Sequence, residues 1–146
     1  MELLLQLNSN LRAHIFTIAL TLAPAVAIAQ TMAPPPAESA NATLVAVALS
    51  SYEIKPDQIT LVRGTAYRLH LTNTSGKAHN FSAPQLFAAS SIASADRAKV
   101  ADGEIEVDGG QTVDVVFVPM TSGEYDVRCT HFLHAAFGMR GKAIVR

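Results

Sequence analysis

The chain has 146 residues, of which 49% are apolar and 16% charged, with 8 Gly, 7 Pro and a single Cys. That is room for one globular domain, and the composition excludes a disordered or collagen-like polymer. A net charge of −1 offers no basic surface to nucleic acid or to an anionic membrane, so no nucleic-acid partner is expected. The chain opens on an address. "IFTIALTLAPAVAIA", Ile15 to Ala29, is an uncharged apolar run that ends in "AIA" before Gln30, an A-x-A-type cleavage site. The run is short of the roughly 20 residues that a membrane span needs and is interrupted by Pro24. Residues 1–29 therefore read as a signal peptide, with retention as an anchor the other possibility. The mature chain is expected to carry no membrane span and to be periplasmic or secreted. In such an oxidising compartment a lone cysteine has no internal disulfide partner.

Residues 30–42 are Pro- and Ala-rich without periodicity and read as a linker. The domain is expected over residues 43–146. "TLVAVALSS" and "DQITLVRG" read as strands, and "TAYRLHLTN" alternates with Tyr67, Leu69 and Leu71 on its apolar face. "TSGKA" is a loop. Ala83 to Gly103 is Ala-rich with few β-branched residues, and predicts one helix or two short ones. "GEIEVDGGQTVDVVFVP" predicts two strands around Asp108-Gly109-Gly110, with Pro119 ending the second. Glu104, Glu106 and Asp108 alternate outward there and read as a solvated face; His70 reads likewise. "GEYDVRC" and "GKAIVR" close the chain. The expected fold is all-β: a Greek-key antiparallel β-sandwich of about seven or eight strands with a short helical insertion.

Chemistry gathers in "RCTHFLHAAFGM", Arg128 to Met139. Cys129 shares parity with Tyr125 and Val127, so its sulfur points into the core at a strand end. One reading is an inert buried thiol that acts as a small hydrophobe. The neighbours supply another. Cys-x₄-His-x₄-Met places a thiolate, an imidazole and a thioether on one loop through Cys129, His134 and Met139. Two imidazoles and a cysteine with a distant axial Met form an electron-transfer copper geometry. Zinc would accept one Cys and two His but has no use for the thioether. The second imidazole has to come from elsewhere, and His79 in "KAHNF" is the candidate. His131 is the possible alternative ligand on the loop itself, although the spacing fits His134 better.

These segments resemble the cupredoxins, the family of plastocyanin, azurin and rusticyanin. The resemblance covers roughly Leu44 to Val145 and rests on "YEIKPDQITLVRGTAYRLHLTN", "HNF", "PMTSGEYDVRC" and the Cys-x₄-His-x₄-Met spacing. It implies one type 1 copper ion, Cu(I)/Cu(II), on His79, Cys129, His134 and Met139. It implies also that Asn80 and Thr130 hold the two ligand loops together. Multicopper oxidases carry a similar segment, but with histidines flanking the cysteine; here those positions are Arg128 and Thr130, and His-x-His is absent from the sequence. No catalytic residue and no enzyme activity are expected. The implied role is to shuttle single electrons between redox partners such as a cytochrome or an oxidoreductase. Ala135, Ala136, Phe137 and Gly138 would form a dry docking surface there. The alternative is copper trafficking or tolerance, with a copper-handling protein as partner.

Overall fold

The computed structural model describes residues 41–146; the expected signal peptide and all but the last two residues of the expected linker lie outside them. Two five-stranded sheets face one another. In the first, the order is β2 (Glu53–Lys55), β1 (Thr43–Ser50), β4 (Tyr67–Asn73), β8 (Thr112–Pro119), β6 (Ser90–Ile92). In the second it is β3 (Gln58–Leu61), β10 (Arg140–Val145), β9 (Gly123–Arg128), β5 (His79–Ser82), β7 (Glu104–Val107). The chain changes sheet at most connections, which is what closes a sandwich around one core.

Alternation decides which faces meet. Tyr67, Leu69 and Leu71 of β4, Ile105 and Val107 of β7, Val115 and Phe117 of β8, and Val127 of β9 are all buried in one continuous cluster. Phe87 bridges the layers, edge-on to Phe81 at 6.2 Å and to Phe117 at 5.9 Å between ring centroids. Each such ring contributes about 1.5–3 kcal/mol on burial.

The sandwich departs from the expectation in three details. Among the described residues it has ten strands instead of seven or eight. Two pairings, β1–β4 and β3–β10, are parallel. The chain between β1 and β4 passes through the opposite sheet in β3, so the returning strand runs alongside the first instead of reversing it. The two strands expected around Asp108-Gly109-Gly110 do form, as β7 and β8 in different sheets, and Gly109 there packs so closely on Gly76 that a Cβ would come within 2.7 Å of its carbonyl carbon. The Ala-rich stretch holds one short helix, α1 (Pro84–Ala88), and a 3₁₀ turn over Arg97–Lys99, with β6 between them. Five residues cannot sustain a helix alone; burial of Leu86 and Phe87 holds it. No described helix is long and apolar enough to cross a membrane.

The strand directions give the sandwich two poles. At one lie the ends of β1, β4, β7 and β9 and the starts of β5 and β10. At the other lie Thr43, bonded through its N–H to Ala66 O, and Arg146, bonded through its N–H to Leu61 O.

Candidate metal centre

Three segments converge at the first pole. Cys129 follows β9 with the inward parity its sequence predicts and is fully buried. His79 is the first residue of β5, not a loop residue, and is 2% exposed. The loop before it is organised by Asn73, whose Nδ2 donates to Lys77 O at 2.8 Å and to Val107 O at 2.9 Å. Residues 129–139 fold back as a series of tight turns. Met139 N–H donates to His134 O at 3.0 Å and Cys129 N–H to Met139 O at 3.1 Å, so both ends of the loop are clasped. Gly138 takes φ +106°, a left-handed conformation that delivers Met139 inward, where it is fully buried.

The donor atoms face one another. His79 Nδ1 and His134 Nδ1 stand 3.1 Å apart, with Cys129 Sγ 3.4 Å from His134 Nδ1 and 3.9 Å from His79 Nδ1. A triangle with these sides has a circumradius of about 2.0 Å. Metal–imidazole and metal–thiolate bonds are about 2.0–2.1 Å and 2.3 Å. Two imidazole nitrogens and a sulfur at these separations are a donor set that one cation could bridge. Burial holds the His79 pKa below its ordinary value, and the neighbouring His134 and His131 push the same way. A neutral imidazole is the form that ligates a metal. Its other nitrogen, Nε2, is buried without a partner among the described residues.

The residues around the triangle lock it. Thr130 N–H donates to Asn80 Oδ1 at 2.8 Å, and Asn80 Nδ2 donates to Thr130 Oγ1 at 2.7 Å, tying the residue after the thiol to the residue after His79. His131 is drawn away from the triangle: its Nε2 lies 2.8 Å from Glu106 Oε1, and its ring stacks on His134 at 5.5 Å. His70, expected to be solvated, pairs with Asp114 on the outer face at 2.8 Å.

Two contributors escaped the sequence reading. Tyr52, in the turn between β1 and β2, sets its ring edge-on to His134 at 5.4 Å and to Phe137 at 5.3 Å. Nothing in a solitary turn tyrosine announces that contact. Glu104 is half-buried and bonds Asn80, Ser82 and Thr130. Around half-buried His134 the surface is apolar: Phe132 is 87% exposed, Phe137 63% and Leu133 48%.

The chain matches the family model of a cupredoxin-like domain over residues 18–145. No curated protein matches it by sequence. Among solved structures it is similar to the dithionite-reduced auracyanin of Roseiflexus castenholzii, at 20% identity and TM-score 0.54 over 72% of this chain and 98% of that one. Auracyanin A of Chloroflexus aurantiacus, described as a "blue" copper protein, is 19% identical with TM-score 0.50, over 70% and 99% of the two chains. A multicopper oxidase from Campylobacter jejuni aligns at 14% identity and TM-score 0.51 over 70% of this chain but 30% of its own. At these identities the likeness is one of fold.

Proposed function

Because this chain belongs to the cupredoxin-like domain family, we propose that it carries single electrons on one copper ion held by His79, Cys129, His134 and Met139. The observation that carries the reading is the triangle of His79 Nδ1, Cys129 Sγ and His134 Nδ1, whose sides leave room for one ion at bonding distance. Soft sulfur beside imidazole favours copper among the first-row metals, and buried Met139 would supply the thioether of such a donor set. When bound, the copper supplies a one-electron Cu(I)/Cu(II) couple.

The protein's own residues do the rest. The Asn80–Thr130 bonds and the clasped loop keep the donors in place whatever their charge, so little has to rearrange when that charge changes. Buried His79 and Cys129 exclude water, while half-buried His134 is the ligand a partner's redox centre can approach most closely. The apolar rim of Phe132, Leu133 and Phe137 suits the small, transient interface of an electron-transfer encounter. Arg128 and Thr130 flank Cys129 where an oxygen-reducing cluster would need histidines, which supports a carrier and not an enzyme. We read residues 1–29 as an export signal, residues 30–42 as a tether and residues 43–146 as a periplasmic or secreted domain.

Adding Cu(II) to the purified domain tests this. An intense thiolate-to-copper charge-transfer band is expected in wild type and absent in Cys129→Ser. A colourless protein that takes zinc equally well would overturn the assignment. Reversible one-electron titration of the blue form supports the carrier; passage of metal to a partner without such cycling would instead favour copper trafficking.

A further inference from the structure

We propose that Glu104 is a positioning residue for the metal centre: its carboxylate sets the orientation of the Asn80 amide, and through that amide the peptide that follows Cys129. The geometry is a property of the metal-free protein; its effect on copper rests on the reading above.

Hydrogen-bond directions leave one arrangement. A carboxylate only accepts, so Thr130 Oγ1, 3.1 Å from Glu104 Oε2, must donate its single proton there. Thr130 Oγ1 is then an acceptor toward Asn80, and Asn80 must present Nδ2 to it at 2.7 Å. The second Nδ2 proton goes to Glu104 Oε2 itself at 2.9 Å. With both protons placed, Oδ1 faces Thr130 N–H at 2.8 Å, on the residue directly after the thiol. An amide turned over would set its oxygen against the carboxylate and its NH₂ against a backbone donor. Ser82 Oγ donates to the remaining oxygen, Oε1, at 2.9 Å and fixes the carboxylate.

The sheet explains why these groups meet. Ser82 pairs with Glu104 in the β5–β7 ladder, and Asn80 with Glu106. Asn80 and Ser82 lie on the outer face of β5, yet both are buried. Thr130 and His131 cover that face, bonded to Glu104 and Glu106 respectively. An anionic acceptor makes bonds roughly twice as strong as a neutral one, so Glu104 is the strongest acceptor in this small network.

Three proteins test the assignment: wild type, Glu104→Gln and Glu104→Leu. In the copper-free proteins, exchange of the Asn80 side-chain amide protons, followed by NMR, should be slowest in wild type. It should be faster in E104Q, whose neutral carbonyl still accepts, and fastest in E104L, which accepts nothing. Copper affinity, measured by competition with a chelator, should fall about 10- to 100-fold in E104L and recover in large part in E104Q. Equal Asn80 exchange and equal affinity across the series would overturn the proposal. Should E104L fail to fold, wild type against E104Q still decides, because matching exchange rates in that pair would also overturn it. Should wild type itself give no charge-transfer band, the copper reading falls, and the copper-free exchange series alone judges Glu104.

Discussion

His79 and His134 present the same atom to the same point, but they stand on different ground. His79 opens a fully buried strand between β9 and β7, with the β-sandwich core behind it. His134 sits half-buried on a loop of turns whose large apolar side chains, Phe132, Leu133 and Phe137, point mostly to solvent. One half of the centre is an extension of the core and forms when the core forms. The other half depends on a few backbone bonds and the Tyr52 ring. Ligand identity and fold stability are therefore separable on one side of the site and not on the other.

Substitutions test the distinction, beginning with the shared core of the sandwich. Phe117→Ala removes the ring beneath Phe87 and should destabilise the copper-free domain by about 3–5 kcal/mol, read as a lowered midpoint in denaturant. Next, Asn80→Ala deletes the amide that accepts from Thr130 N–H and should cost about 1–3 kcal/mol in the copper-free protein. Copper binding in that variant should weaken about 10- to 100-fold. Gly138→Ala forces a Cβ into φ +106° and should cost about 1–3 kcal/mol. The smallest effect is expected at His134. His134→Ala should abolish the charge-transfer band yet cost the copper-free protein about 1 kcal/mol or less, because the half-buried ring lies outside the core. A thermal shift in H134A as large as that of F117A would erase the distinction between the two halves.

Much of the buried half was legible because strands write their faces at every second residue. Tyr125, Val127 and Cys129 share a parity, and the structure buries Val127 and Cys129 on that side. His79 could be paired with the loop through the chemistry of the missing imidazole and through the cupredoxin-like "HNF", although fifty residues separate it from Cys129. What stayed hidden depends on contacts between distant segments. Ser90–Ile92 lies in an Ala-rich run with helical character, yet pairs with Phe117–Pro119 because β8 offers an open edge there. The parallel pairs follow from the route of the chain, which alternation does not encode. Parity alone makes Glu104 a solvated residue, because it reports which side of a sheet a residue faces, not whether a loop lies over that side. Tyr52 left no periodic trace at all.

The two described ends of the chain carry a consequence for how the protein can be mounted. Thr43 and Arg146 both sit at the pole away from the ligand triangle. The seven residues of β4 that run from one pole to the other span about 20 Å. Anything joined directly at Thr43 or Arg146, whether a lipid, a resin or a second domain, therefore grips the domain by its foot and leaves the His134 face pointing outward. For a surface-fixed sample, attachment at either of these residues keeps that face free for soluble partners. Contact with the support itself calls for an attachment point on the 129–139 side.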